Sequence, residues 1–256
     1  RGALGPAAMG SPPLERLGRL AARHGLRRWL PLAPEAAVVS VTFDDILGSA
    51  ARTGARILED HGGRGTFYAA GSLTGGQEDG RAAHTLDALL SLQAAGHEIG
   101  SHGWAHQAYA RAPAGRIRDD LDRNLAYLRR HLGPRAGEHF AYPFGRYGLR
   151  SKRLVAARHA SARILGGGLH QGRADLNLLG CHRFYGEGRQ PAAWRGWLDA
   201  LAPGGWLLLN THEVEPDCGP YGCRPGELDA FVAAACRRGC LILPVGEAIA
   251  YWRARA

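Results

Sequence analysis

The sequence predicts an α/β domain built on a parallel sheet or barrel, and three observations carry that expectation. Short apolar runs alternate with segments of helical periodicity from Ala37 to Arg253. The apolar runs are rich in β-branched and aliphatic residues, as in buried strands. Polar, chemistry-bearing residues follow several of these runs immediately, and in parallel barrels reactive groups sit at the C-terminal ends of strands. A chain of 256 residues with 45% hydrophobic content is large enough for one sizeable core.

In order, Ala37 to Phe43 (AVVSVTF) is a strand, and Ala50 to Asp60 a helix closed by His61-Gly62-Gly63. Gly65 to Ala70 is the next strand, followed by a helix from Thr85 to Ala95 that ends at Gly96. His97 to Ser101 is a short strand. Pro113 to Leu132 is a long helix with Leu121, Leu125 and Leu128 on one face, stopped by Gly133-Pro134. His139 to Tyr142 is a strand broken by Pro143, Arg150 to His159 a helix, and Ala162 to Leu165 a strand. Gly166 to Leu179 reads as a Gly-rich, irregular connection. A strand at Cys181 to Tyr185, a helix at Pro191 to Leu201, and the apolar strand Trp206 to Thr211 come next. Helix Glu227 to Arg238, strand Cys240 to Leu243 and helix Glu247 to Arg253 complete the series. The expected division is an N-terminal basic, helical extension over residues 1–36 and one functional domain over 37–256.

The formal net charge is +9, and Lys152 is the only lysine among 32 basic residues. That balance favours anionic partners, but nothing marks a nucleic-acid binder: there is no zinc-finger spacing and no aromatic-basic RNA motif. Five cysteines, an odd number, argue against a full disulfide framework. Cys218 and Cys223 flank a Gly-Pro-Tyr-Gly turn and could pair or remain free thiols. No apolar run is long enough to cross a membrane. No signal peptide is visible, so a cytoplasmic location is expected, or a periplasmic or secreted one if the chain is trimmed. Leu14, Leu17, Leu20 and Ala21 fall at helical spacing among Arg16, Arg19 and Arg23. This helix is expected to cover the barrel floor or a domain edge; the alternative is a basic helix in contact with a membrane surface.

Four short motifs carry chemistry. Thr42-Phe43-Asp44-Asp45 ends the first strand with adjacent carboxylates, which alternate in direction unless the chain turns there. In His102-Gly103-Trp104-Ala105-His106 the two imidazoles fall on one face of a helical turn, a spacing suited to a shared metal. In Phe140-Ala141-Tyr142-Pro143-Phe144-Gly145 the chain must turn sharply, which can aim backbone N–H groups at a developing oxyanion. In Leu209-Asn210-Thr211-His212 a histidine leaves a buried strand at its C-terminal end, where it can act as a general acid.

In this order the motifs resemble those of the NodB-like polysaccharide deacetylases, the fourth family of carbohydrate esterases, from about Val38 to about Ala248. The resemblance implies a distorted (β/α) barrel of about seven strands. It implies Asp44 as base, Asp45, His102 and His106 as ligands of a divalent metal, usually zinc, and His212 as the acid that protonates the leaving amine. It places the Phe144 N–H at the oxyanion. The implied reaction is hydrolysis of an acetyl group from an N-acetylated glycan, with release of acetate. O-acetyl ester hydrolysis and a catalytically weakened sugar-binding homologue are the alternatives.

The sequence departs from the family pattern in three places. Gly103 stands where the family often has Ser or Thr, and Ala141 where it has an arginine that orients the base. Arg183, on a later strand, is the candidate replacement for that arginine. The Asp-Trp pair that tunes the acid histidine is not recognisable, with Asp175 as the candidate. Trp104, Tyr142, Pro143 and Tyr221 are candidate substrate contacts, and Tyr147 and Trp194 are further aromatics that could stack on sugar rings.

Overall fold

The computed structural model describes residues 13–33, 35–78 and 80–255, with side chains from residue 18 onward. The expectations placed on residues 1–12 and on the side chains of Leu14, Arg16 and Leu17 lie outside the described residues. Seven parallel strands form the barrel: β1 (Val38–Asp44), β2 (Thr66–Ala69), β3 (Glu98–Ser101), β4 (His139–Ala141), β5 (Ser161–Leu165), β6 (Leu179–Arg183) and β7 (Gly205–Thr211). Each pairs with the next, and β7 closes on β1 through six residue pairs from Trp206↔Val38 to Thr211↔Phe43. Eight α-helices are described: α1 (Pro13–His24), α2 (Ala55–Asp60, preceded by a π-helical turn at Ala50–Gly54), α3 (Leu86–Ala94), α4 (Ala114–Leu132), α5 (Leu149–Ala156), α6 (Pro191–Ala200), α7 (Pro225–Arg237) and α8 (Val245–Arg253). The expected barrel is therefore present.

The barrel is uneven for identifiable reasons. β3 and β4 share a single register pair, Ser101↔Phe140. No helix follows β5. The connection read as irregular contains two short strands: Leu169–Gln171 runs antiparallel to the start of β7, and Arg173–Asp175 pairs antiparallel with Trp29–Pro31. The first of these lies against the lower part of β7, so β6 and β7 meet only through His182↔Leu209 and Arg183↔Asn210. Close approach there requires glycine: a Cβ on Gly180 would lie 2.1 Å from the Gly167 carbonyl oxygen.

Strand β1 is buried along its whole length, and its period of two sorts its residues. Val39, Val41 and Phe43 join the apolar layer under the helices, with Leu207 and Leu209 of β7 and Phe231 of α7. Phe43 stacks on Phe67 with ring centroids 4.5 Å apart, and truncating it to alanine would cost about 3–5 kcal/mol. The alternate residues face the interior: Val38 meets Trp206 and Trp252 at the floor, Ser40 accepts the Trp206 Nε1–H, and Thr42 donates to the Leu209 carbonyl. The same alternation carries Asp44 inward at the upper end.

The segment before β1 sits under this floor. Leu30 and Leu32 pack with Val38, Trp206 and Trp252. Lys152 of α5 is fully buried and donates from Nζ to the Ala22 and Gly25 carbonyls and to Asp175, at 2.9, 2.8 and 3.1 Å, tying the end of α1 down. Leu20, Leu26 and Trp29 stay exposed. No described helix is long and apolar enough to cross a membrane. All five cysteines are free thiols.

Candidate active site

The four motifs converge at the C-terminal rim of the barrel. Asp45 and Ile46 have positive φ (59° and 49°), so the chain turns immediately after β1 and both adjacent carboxylates stay buried over the barrel mouth. His84, buried beside them, contacts the Asp45 carbonyl oxygen through Nδ1 and Thr74 through Nε2. A left-handed backbone at a non-glycine residue costs about 1–2 kcal/mol, and His106 and Phe144 adopt it as well (45° and 58°). Four of the five such residues among those described thus lie in the motifs or directly beside them, where strain is held by the surrounding structure.

His102 and His106 do not lie on a helical turn, as their spacing predicts, but on an irregular loop after β3. Asp120 of α4 organises that loop: its carboxylate accepts from the backbone N–H groups of Trp104 and Ala105, from Gln107 Nε2 and from the Tyr109 hydroxyl. Gly103 follows from this packing. Its φ is 75°, and a Cβ there would lie 2.6 Å from Asp120 Oδ2 and 2.7 Å from the Tyr109 hydroxyl.

The ligand atoms of Asp45, His102 and His106 lie within 4.8 Å of one another. His106 Nε2 is 3.2 Å, and His102 Nε2 3.7 Å, from Asp45 Oδ1. His102 donates from Nδ1 to the Ala141 carbonyl at 2.8 Å, which leaves Nε2 as a lone-pair donor. Burial holds this imidazole neutral, its pKa lowered to about 3. His106 Nδ1 meets Glu78 at 3.1 Å; burial lowers the His106 pKa, but Glu78 and Asp45 outweigh it and raise it. Asp45 Oδ1 is buried without a hydrogen-bond donor, and burial lifts that carboxyl to about 6. Two imidazole nitrogens and an orphaned carboxylate oxygen fit a divalent ion such as zinc.

Asp44 is the partner of Arg163, not of Arg183. Arg163, buried on β5, stands beside Ala141 in the β4–β5 ladder and bonds to Asp44 Oδ1 through Nη2. Burial pushes the Asp44 pKa up, but Arg163 first, then His102 and His212, prevail and hold it at about 2. Arg183 is exposed at the C-terminal end of β6, two residues beyond the buried Cys181, and it is Arg163 that occupies the position beside Asp44. The interior of the barrel beneath Asp44 is completed by Cys181, whose sulfur takes a hydrogen bond from Arg163, and by Tyr68, whose ring faces the guanidinium at 5.2 Å.

His212 lies across the mouth. Its Nδ1 donates to the Tyr221 carbonyl at 3.2 Å, and its Nε2 is 3.8 Å from Asp45 Oδ2. A backbone carbonyl thus stands at His212 Nδ1 where Asp175 was sought, and Asp175 is instead bound to Lys152 and to the N–H groups of Arg28 and Asn177. At the turn after β4, the Phe144 N–H has no acceptor among the described residues, while Gly145 and Arg146 donate back to Tyr142 and Pro143.

The aromatic candidates divide. Tyr142, Pro143, Tyr147 and Trp194 are buried in the core and cannot meet a sugar. Trp104 is half-buried under Arg123 and against Tyr127. Tyr221 is exposed at the mouth, as is the ring of Phe144, 4.6 Å from that of His106. Sequence reasoning missed Arg163, Glu78, Asp120 and the Tyr221 carbonyl. Arg163 left a signal, a charge inside the apolar run Ala162–Leu165, and Asp120 left another, a carboxylate one turn from Ile117 on the apolar face of α4.

Comparison with known proteins agrees with this geometry. No curated protein sequence matches the chain. A Mycobacterium smegmatis protein provisionally assigned as a polysaccharide deacetylase superposes with a TM-score of 0.65 at 18% identity, over 88% of this chain and 94% of that one. Peptidoglycan deacetylase PdaC from Bacillus subtilis superposes at 0.57 with 14% identity, over 87% and 94%. BA3943 from Bacillus anthracis, a pseudoenzyme of the CE4 family, does so at 0.59 with 14% identity, over 85% and 66%. At these identities the likeness is one of fold. The family model for polysaccharide deacetylase matches residues 32–161, a span that holds Asp44, Asp45, His102, His106 and Phe144, and the chain belongs to that family.

Proposed function

We propose that this protein is an active, metal-dependent deacetylase that hydrolyses N-acetyl groups on a glycan to acetate and a free amine. The observation that carries the reading is the Asp44–Arg163 pair set beside the Asp45–His102–His106 ligand group, with His212 facing both. A bound divalent ion would supply Lewis acidity, polarising the acetyl carbonyl and lowering the pKa of water. Asp44, kept ionised by Arg163, accepts the proton of the attacking water. The Phe144 N–H donates to the oxygen that gains charge as the carbonyl carbon becomes tetrahedral. His212, held through Nδ1 by the Tyr221 carbonyl, delivers a proton from Nε2 to the departing nitrogen. An amine leaves poorly unless protonated, so a well-placed acid histidine favours the amide over the O-acetyl ester.

The family includes a pseudoenzyme, but this chain retains both carboxylates and all three histidines, and it supplies the guanidinium from a different strand. The name of PdaC supports a peptidoglycan-like N-acetylated glycan as a substrate class. The deciding experiment is acetate release from N-acetylhexosamine oligomers and from O-acetylated oligosaccharides, with zinc and with chelator. Zinc-dependent release from the N-acetylated series is expected. Release from O-acetylated substrates alone would replace the amide reading, and release from neither would refute catalysis.

A further inference from the structure

A small hairpin reaches both halves of the reaction centre. Gln77–Glu78 pairs antiparallel with Arg81–Ala82, and Glu78 and Arg81 reach different partners. Glu78 contacts His106 Nδ1. Arg81 pairs with Glu213 Oε2 at 2.7 Å, bonds to Glu215, and donates to the Asp217 carbonyl at 2.9 Å. Glu213 directly follows His212, is buried, and accepts the Gly219 N–H at 2.5 Å, which folds the loop back toward Tyr221. That return places the Tyr221 carbonyl against His212 Nδ1. Arg189 holds the far side of the loop through the Cys218 sulfur and the Gly222 carbonyl.

We propose that the Gln77–Ala82 hairpin is a positioning element that sets the metal-ligand half of the site and the acid half in register, Glu78 acting through His106 and Arg81 through the His212–Cys223 loop. This rests on the reading of His212 as proton donor. An exposed ion pair alone would do little. Here one guanidinium meets acceptors on residues 213, 215 and 217, one of them a buried carboxylate, and the adjacent strand carries the partner of His106.

The two arms predict different losses. Arg81→Ala loosens the acid, so kcat for N-acetylglucosamine oligomers falls about 10–100-fold, part of the roughly 10²–10⁴-fold that a positioned acid contributes, with KM and zinc affinity little changed. Turnover of 4-nitrophenyl acetate stays within about threefold, because nitrophenolate departs without a proton. Glu78→Gln weakens zinc affinity about 10–100-fold. Arg81→Ala also leaves Glu213 an unpaired buried carboxylate, so the double variant Arg81→Ala/Glu213→Gln removes that charge and retains the same leaving-group dependence. Amide hydrogen exchange at Gly219 and Cys223 speeds up in both Arg81 variants. An equal fall on amide and nitrophenyl ester, unchanged exchange in the loop, or unchanged zinc affinity in Glu78→Gln would overturn the assignment. If the unmodified protein turns over neither substrate, the deacetylase reading fails, while exchange and zinc titration still decide the hairpin.

Discussion

Arg163 and Ala141 are neighbours in the β4–β5 ladder, and the guanidinium that the third motif lacks at Ala141 enters the barrel one strand over. Paired residues on adjacent strands project to the same face, so a long side chain from either position can reach Asp44. Arg163→Ala breaks a buried ion pair and should destabilise the fold by about 3–5 kcal/mol, with loss of acetate release. Moving the charge back, in Ala141→Arg/Arg163→Ala, should recover part of both. Thermal denaturation and acetate assays check this, and a double variant no better than Arg163→Ala would count against it.

The Asp44–Arg163 pair also has a pH signature. The folded pKa of Asp44, about 2, lies below its ordinary 3.8. Its stabilisation is therefore present in full above the ordinary value and is lost as pH falls toward the folded one. His159 adds to the same acid side through a different group. Burial holds its imidazole at about 3, below the usual 6.5, with Nε2 unpartnered and Nδ1 donating to Gly137. Stability from keeping it neutral is complete above 6.5 and drains away as pH falls from there toward 3. His159→Gln, which keeps a donor but does not titrate, should flatten stability against pH in that window by up to about 1.4 kcal/mol per unit, as measured by urea denaturation at several pH values.

The proposed base and ligand roles predict different losses. Asp44→Asn should cut acetate release about 10²–10⁴-fold and leave zinc binding intact. His102→Ala and His106→Ala should lose the ion and the activity together. Chelation of the unmodified protein should abolish release, and added zinc should restore it. Metal content by emission spectroscopy beside acetate assays distinguishes the two behaviours, and an Asp44→Asn protein of full activity would remove Asp44 from the mechanism.

Gly103 makes a prediction against the family pattern. Gly103→Ser reintroduces a hydroxyl that relatives often carry, yet here it adds about 1–2 kcal/mol of backbone strain and drives a Cβ into Asp120 and Tyr109. Lower thermal stability and weaker zinc binding are expected. A neutral or stabilising result would show that the His102–His106 loop is held by something other than Asp120.

The candidate site residues were legible because each comes directly after an apolar run that reads as a strand. Val39, Val41 and Phe43 face outward, so Asp44 faces inward, and the same reasoning finds His102 and His212. What the sequence could not yield were partnerships across the barrel. Arg163 lies 119 positions from Asp44 and Glu78 lies 28 from His106, and nothing in local spacing marks either pair. The helical turn expected for His102–His106 failed for a nearer reason: Asp120 captures the backbone N–H groups of Trp104 and Ala105 and holds the segment irregular. Tyr142, offered as a sugar contact, belongs to the buried cluster with Tyr109, Phe140 and Tyr147.

Lys152 is the sequence's one primary ε-amine, and the folded chain encloses it completely between α1, α5 and Asp175. Acylating reagents therefore find no lysine on the native surface, and attachment to an amine-reactive support would fail through side chains. The same enclosure turns Lys152 into a reporter: its rate of acylation measures how often the end of α1 lifts away from α5 and Asp175.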